Sequence, residues 1–141
     1  RRRSCRRRQG DGDLPPKELG VITFYGAQTS ELQRRLLHRP EERMFRNLKL
    51  RIGTVDRFQG MERAVVIVSL VRNNTRGDIG FAREPERINV AFSRAQELLV
   101  IVGSKELFCD KARSDESRAI YSNVATVVRS QGGFGDISTF H

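Results

Sequence analysis

Two arginines, Arg87 and Arg94, have the type and spacing best suited to chemistry in this chain. They stand seven residues apart in a stretch of helical periodicity. Seven residues are about two helical turns, which would point both guanidiniums the same way, roughly 10 Å apart along the axis. A planar guanidinium fork matches phosphate oxygens and can stabilise the charge that develops on a transferred phosphoryl group. From spacing alone we favour a simpler role, in which either arginine pairs with a carboxylate such as Glu84 or Glu97.

A second polar stretch, residues 54–62, reads TVDRFQGME and combines a hydroxyl, an amide, two carboxylates and a glycine. Gly60 would let a phosphate approach the backbone closely. Asp56 and Glu62 have the composition of a general acid–base pair. No His or Cys lies near them in the sequence. We therefore favour carboxylates that cap a loop or accept a hydrogen bond from a ribose hydroxyl.

The sequence lacks the residues that an independent nucleotide hydrolase needs. There is no G-x-x-x-x-G-K-[ST] phosphate loop, and residues 103–105 hold similar letters, GSK, in the wrong order. No predicted strand ends in a pair of carboxylates that would orient magnesium and water, and His38 and His141 have no metal-ligand partners. We therefore expect no metal site in this chain and no hydrolysis of a nucleotide by it alone.

Four apolar runs have the length and composition of buried strands: residues 21–24, 48–55, 64–71 and 98–102. The run 64–71 shows no alternation and is rich in valine, which is typical of strands covered on both faces. Strands that alternate with helices predict an α/β fold with a parallel sheet and right-handed crossovers. Both polar stretches would then lie where strands meet helices, the places in which such sheets bind ligands. We expect the two stretches to share one cleft, of which this chain makes half.

Three helices are predicted around these strands. The first would start at Ser30, because residues 30–33 have capping-box spacing, and would end at Pro40 and the charged run 41–43. The second has Pro85 in its first turn, and the third starts at Ser114 and stops at residues 132–133, two glycines. The apolar residues at helical spacing, which would face the core, are Leu32, Leu36 and Leu37 in the first helix, Ile88, Ala91, Phe92 and Ala95 in the second, and Ile120, Val124, Val127 and Val128 in the third.

The charge of the chain is concentrated at its start. Of 26 basic residues, six are arginines within residues 1–8, and the remainder are 20 against 17 acidic residues. We divide the chain into a basic flexible leader (1–18), one globular domain (19–130) and a tail (131–141). The leader is suited to nucleic-acid binding or nuclear localisation, or is a solvated arm or the arbitrary start of a fragment.

The two cysteines, Cys5 and Cys109, form neither a metal-ligand pattern nor a disulfide framework. No apolar run approaches the ~18 residues of a membrane span. An intracellular location, cytoplasmic or nuclear, is the expectation.

Taken together, these stretches resemble the second motor domain of superfamily 1 helicases, in the branch of the up-frameshift and senataxin-type RNA and DNA helicases. Three family motifs line up in order, in residues 20–28, 54–62 and 79–95, and the likeness covers roughly residues 19–109. It implies a RecA-like parallel sheet flanked by helices. The strand and helix that normally open this domain are not recognisable in residues 1–18, so the sheet should be truncated at its N-terminal edge and the chain a partial gene product or an excised piece.

The resemblance also implies roles for individual residues. A first RecA-like domain with a P-loop would hold ATP and Mg, and Arg94 would reach across as the arginine finger. Gln59, Gly60 and Glu62 would couple nucleotide to nucleic acid. The residues assigned to the ATP cleft are Arg87, Gly60, Glu62, Gln28 and Tyr25, and those assigned to nucleic acid are Thr54, Asp56 and Gln59.

As a motor, the two domains would close on ATP, reopen after hydrolysis and grip single-stranded RNA or DNA by its backbone, in a sequence-independent and salt-sensitive way. The alternative is a non-catalytic nucleic-acid-binding module derived from a helicase. A third possibility is a structural or regulatory partner domain. A P-loop encoded upstream in the same polypeptide would favour the motor.

Overall fold

The computed structural model describes residues 15–37 and 47–136. The predicted N-terminal arm up to residue 14 and the predicted helix end at Pro40 lie outside these residues. The helices and strands are, in chain order, β1 (Lys17–Thr23), α1 (Gly26–Leu37), β2 (Leu48–Thr54), a 3-10 turn (Val55–Phe58), β3 (Arg63–Ser69), a second 3-10 turn (Gly80–Arg83), α2 (Pro85–Phe92), β4 (Ala95–Val102), a π-helical segment (Glu106–Lys111) and α3 (Asp115–Ser130). None of the described helices is long and apolar enough to cross a membrane.

The four strands form one parallel sheet in the order β2-β1-β3-β4. Thr23 lies opposite both Thr54 and Ser69, and Ser69 lies opposite Val102, so all four strands end together. We call the end of the sheet at which all four strands finish the carboxyl edge, and the opposite end, at which they start, the amino edge. Neither name refers to the outer strands β2 and β4. The predicted α/β class with a parallel, RecA-like sheet is confirmed.

Phe58 organises the crossing from β2 to β3, because the chain must return over the sheet from the carboxyl edge to the amino edge. Its ring is fully buried. A Cβ at Gly20 would lie 2.8 Å from Phe58 Cε1, and a Cβ at Gly53 would lie 3.2 Å from its Cε2. Glycine in β1 and β2 therefore provides the space that the ring occupies.

Strand β3 is less enclosed than its composition predicted. Val66 and Val68 are fully buried, whereas their neighbours in the strand are half-buried. The strand ends at Ser69, and Val71, predicted as its last residue, is exposed. The alternation shows that, in the described part of the chain, one face of β3 is covered more completely than the other.

The start of α1 is a correction to the capping-box prediction. The helix begins at Gly26, and Thr29 N–H donates to Tyr25 O (3.1 Å) as its first turn closes. The Thr23 hydroxyl accepts from Tyr25 N–H (3.0 Å), so the turn from strand to helix is formed before Ser30 is reached. Ser30 donates from inside the helix to Gly26 O instead. No residue of α1 is fully buried, and Leu37, a predicted core residue, is 42% exposed.

The end of α2 is a second correction. Pro85 is in the first turn as predicted, but the helix stops at Phe92, so neither Arg94 nor Ala95 belongs to it. Arg63 N–H donates to Arg94 O (3.0 Å), and Ala95 is the first residue of β4. Pairing with β3 therefore takes these residues into the sheet, although the apolar spacing would allow another helical turn.

Helix α3 starts and stops as predicted. The Ser114 hydroxyl accepts from Ser117 N–H, and the chain leaves the helix through Gly132, which has a φ of +71°. Its buried side differs from the prediction: Val127 is 54% exposed, whereas Ser117 and Tyr121 are buried. Their hydroxyls donate to backbone carbonyls of the turn before α2, Arg83 O and Ala82 O respectively, at 2.8 Å each.

Candidate functional site

The predicted site residues divide between the two edges of the sheet. The predicted placement of both arginines on one helix face is wrong, because Arg87 is in the first turn of α2 and Arg94 follows its C-terminal end. Gln59 ends the 3-10 turn that leads from one edge towards the other. Gly60, Glu62 and Arg94 lie near the amino edge, and Tyr25, Gln28, Thr54, Asp56 and Arg87 near the carboxyl edge.

Arg94 is the cation of interest at the amino edge. It is half-buried, and its Nη2 donates to Ser93 Oγ (2.9 Å). Its Nε is buried and has no hydrogen-bond partner. In the described part of the chain its guanidinium forms no ion pair. Glu97, considered as a partner for an arginine, pairs with Lys17 instead. Arg94 thus retains donors that its own domain does not use.

Glu62 lies beside the start of β4 and accepts a hydrogen bond from a residue that the sequence analysis did not identify. Gln96, the second residue of β4, donates from Nε2 to Glu62 Oε2 (3.1 Å). The preceding Gly60 has a φ of +76° and open space around its Cα. Asp56 pairs elsewhere, so the structure does not bring it together with Glu62 as an acid–base pair.

Tyr25 anchors the loop before α2 at the carboxyl edge. Its hydroxyl donates to Ile79 O (3.2 Å) and accepts from Phe81 N–H (3.1 Å). Gly80 stands between these two contacts with a φ of +54°, and a Cβ there would overlap the Tyr25 hydroxyl. Asp78 accepts from Gly80 N–H (2.9 Å), which lowers the pKa of its carboxyl below the usual value. The loop is thereby held by contacts to Tyr25, which follows β1, and by contacts within the loop itself.

Gln28 connects α1 to the end of β3. Its Nε2 donates to Ser69 Oγ (2.7 Å), while its Oε1 is buried without a hydrogen-bond partner. Thr54, at the end of β2, is half-buried and its side chain makes no capping hydrogen bond. Both side chains therefore retain polar atoms without a hydrogen-bond partner inside the domain near the carboxyl edge.

Arg87 takes the simpler role that its spacing allowed. Its Nε lies 3.0 Å from Glu84 Oε2, and its Nη2 lies 3.4 Å from Asp56 Oδ2. Its Cζ also stands 5.1 Å from the centroid of the Phe81 ring. Asp56 is exposed, so Arg87 connects the polar stretch after β2 to the first turn of α2. Phe81 and Gln96 could not be found from local patterns, because their partners are 56 and 34 residues away.

A family model described as "AAA domain" matches residues 4–106 of the chain. The chain belongs to the AAA domain family. The match includes all four strands, α1 and α2. Both edges of the sheet in this AAA domain therefore fall within the region that the family shares.

Of three relatives of this AAA domain, two are named as helicases and one as a regulator of nonsense transcripts. DNA polymerase alpha-associated DNA helicase A of Saccharomyces cerevisiae is 42% identical over 95 residues, 67% of this chain and 13% of that protein. Putative helicase mov-10-B.1 of Danio rerio is 31% identical over 135 residues, 90% of this chain and 13% of that protein. Regulator of nonsense transcripts 1 homolog of Drosophila melanogaster is 35% identical over 94 residues, 67% of this chain and 8% of that protein.

The chain thus spans 8 to 13% of the length of these relatives. With the family match, they support a superfamily 1 helicase domain, as the motifs implied. Within the described residues of this AAA domain, no group of three or more His, Cys, Asp or Glu side chains is placed to hold a metal ion. The Arg94 guanidinium suits an anion, because it is a charged donor with no carboxylate partner among the described residues.

Proposed function

We propose that this chain is the second motor domain of an ATP-dependent helicase and that Arg94 is its arginine finger. The observation that carries the proposal is the unused donor capacity of Arg94 at the amino edge. A guanidinium that has no carboxylate partner in its own domain can donate to a transferred phosphoryl group without first breaking an ion pair. Arg94 has no such partner among the described residues, whereas Arg87 has two.

The geometry of Arg94 leaves donors for an external anion. Its buried Nε is out of reach of a ligand, so a phosphate oxygen from outside the domain would be bound by the terminal Nη groups, whose only hydrogen bond among the described residues is the one from Nη2 to Ser93 Oγ. The hydrogen bond to Ser93 restricts the guanidinium to few orientations. A donor that is already oriented before the charge develops is the arrangement that stabilises a transition state with little reorganisation.

ATP with its Mg ion supplies the phosphoryl group for the reaction when bound, and we assign both to a first RecA-like domain with a P-loop. From this chain, Arg94 would donate to the terminal phosphate. Glu62, oriented by Gln96, would accept a hydrogen bond from a ribose hydroxyl.

We assign single-stranded RNA or DNA to the carboxyl edge, where the Thr54 side chain makes no capping hydrogen bond. Gln28, which the resemblance assigned to the ATP cleft, lies at the same edge, but its unpartnered Oε1 is buried and would not contact a bound nucleic acid. Residues 55–62, including Gln59 and Gly60, run from one edge of the sheet to the other. That segment would transmit a conformational change at the nucleotide to the bound single-stranded nucleic acid. We further propose that the chain belongs to the up-frameshift and senataxin-type branch, as its motifs imply, and acts inside the cell, in the cytoplasm or the nucleus.

The test is a substitution in the full-length polypeptide that carries this chain and its upstream region. Arg94→Ala should lower the rate of ATP hydrolysis by about 10³- to 10⁵-fold, the range for loss of an arginine finger. Its affinity for a single strand should stay near the unsubstituted value. Arg35→Ala is the matched control, because it removes an exposed arginine on α1 that has only a local partner, Glu31.

Unchanged turnover in the Arg94→Ala protein would rule out this role. Strand binding that ignores ATP, in a polypeptide that encodes no P-loop, would instead establish the non-catalytic module.

A further inference from the structure

An aromatic side chain to which the predicted site gave no role is held at the carboxyl edge between a tyrosine ring and an arginine. The Phe81 ring is 51% exposed. Its centroid lies 5.6 Å from that of Tyr25 and 5.1 Å from Arg87 Cζ. Arg72 Cζ lies 5.1 Å from the other ring, that of Tyr25. The four side chains thus form a row, cation–ring–ring–cation, which we call the stacking row.

The backbone beneath Phe81 is fixed, so the ring is presented without ordering a loop. Phe81 N–H donates to the Tyr25 hydroxyl, and Arg72 Nη1 donates to Asp78 Oδ2 (2.7 Å) in the same loop. Asn74 closes the loop from inside by accepting from Asp78 N–H (3.2 Å) and donating to Asp78 O (2.7 Å). An aromatic ring exposed on a rigid support binds a flat partner at a low entropic cost.

The charges of the row point to a flat, uncharged partner more than to a phosphate. Arg72 is paired with Asp78, and Arg87 with Glu84 and Asp56, so neither guanidinium is free to neutralise a backbone phosphate. A nucleobase needs no net charge, because it stacks through its face on aromatic rings and on guanidinium planes. The row also lies beside the stretch after β2, since Arg87 contacts Asp56.

We propose that Phe81 is a base-stacking platform, held by Tyr25 and Arg87, on which one base of a single-stranded nucleic acid rests. This inference rests on the proposed function, because the helicase role is what brings a single strand to the carboxyl edge. It adds Phe81 to the residues that would contact the nucleic acid, and this contact would not depend on base sequence, since every base has a stacking face. Phosphate contacts would come from other groups, among them Thr54.

The chain contains no tryptophan, and this permits a direct optical test on the 141-residue protein. Phe81→Trp places one indole in the stacking row, and its fluorescence should fall saturably as oligo-dT or oligo-U is added. Phe134→Trp is the matched control: Phe134 is 47% exposed and also has an arginine, Arg129, 4.9 Å from its centroid, but it lies beyond the end of α3. The control should show no such loss.

Binding measurements complete the test. Phe81→Ala should weaken oligonucleotide binding by roughly 5- to 150-fold, the effect of losing one base–aromatic stack. The slope of log affinity against log salt should not change, because that slope counts phosphate contacts. Phe134→Ala should bind like the unsubstituted chain. Since both phenylalanines are exposed, equal unfolding midpoints will show that the variants fold.

Three results would overturn the platform: equal affinity of the Phe81→Ala chain, equal or no fluorescence loss in the two tryptophan variants, or a loss caused by ATP and not by the strand. The two proposals fail separately. If Arg94→Ala abolishes turnover while the Phe81→Trp signal does not respond to a strand, the motor role stands and the platform is rejected. If Arg94→Ala leaves turnover unchanged while a single strand lowers the fluorescence of the Phe81→Trp chain, the arginine-finger role is rejected and the platform stands.

Discussion

Substitution of Gly80 tests whether the loop that presents Phe81 is built as the structure shows. Gly80 has a φ of +54°, and a Cβ there would overlap the Tyr25 hydroxyl and lie 2.9 Å from Arg72 Nε. The left-handed conformation costs a residue with a side chain about 1–2 kcal/mol. Displacing the Tyr25 hydroxyl breaks its two hydrogen bonds to the loop, worth about 0.5–1.5 kcal/mol each. Gly80→Ala should therefore lower the free energy of unfolding by roughly 2–5 kcal/mol.

Gly132→Ala separates the two causes, because Gly132 has a similar φ, +71°, and no atom within 4 Å of the added Cβ. It should cost only the conformational part, about 1–2 kcal/mol. Urea unfolding of the 141-residue chain measures both values. In a Tyr25→Phe background the clash with the hydroxyl is gone and the contact with Arg72 remains, so Gly80→Ala should cost less than in the unsubstituted chain but no less than Gly132→Ala. If both glycine substitutions cost the same in the unsubstituted chain, the contact with Tyr25 does not hold the loop.

Two further predictions concern the sheet and α1. Gly20→Ala should lower the free energy of unfolding by about 1–3 kcal/mol, because its Cβ crowds the buried Phe58 ring. Gly53→Ala should lower it less, since its Cβ lies farther from the ring. A Gly20→Ala chain that is more stable than the unsubstituted one would contradict this packing. A hydrogen bond from Arg34, with a second from another arginine of α1, lowers the pKa of Glu31 from 4.5 to about 2. The stabilisation from this contact is present above pH 4.5 and lost as the pH falls towards 2, so Glu31→Gln should remove part of the acid sensitivity of helical circular dichroism in that range. Equal acid sensitivity in both chains would show that the contact does not form.

Much of the fold follows from local signals in the sequence. The apolar runs identify all four strands, because they are rich in the β-branched residues that favour strands, although none of the four strands is buried along its whole length. Pro85 and Ser114 identify the starts of α2 and α3, since their effects on a helix end need only the neighbouring residues. Gly132 identifies the end of α3 for the same reason.

The errors arose where a distant contact overrides a local pattern. Residues 30–33 have capping-box spacing, yet Thr23 and Tyr25 start α1 one turn earlier. Arg94 and Ala95 continue the helical spacing of α2, yet the hydrogen bond from Arg63 draws them towards the sheet. The sequence analysis predicted no helix or strand at Glu106–Lys111, which forms a π-helical segment.

The site shows the same division. The motifs supplied the residues, but they could not show that Arg87 and Arg94 stand at opposite ends of α2, because the register of β3 and β4 decides where the helix must stop. The third motif stretch includes Phe81 but gave it no role, because its position depends on the hydroxyl of Tyr25. Motif order in the sequence therefore indicates the family, whereas strand register determines which edge each residue serves.

We propose above that Arg94 stabilises the transition state on a nucleotide that another domain holds. Its most direct test compares the affinity of the full-length polypeptide for ADP with aluminium fluoride, which imitates the transferred phosphoryl group, and for a non-hydrolysable ATP analogue. Arg94→Ala should lose most of the affinity for the transition-state mimic and little of that for the ATP analogue. Equal affinities for the mimic with and without the Arg94 guanidinium would show that Arg94 does not stabilise the transition state.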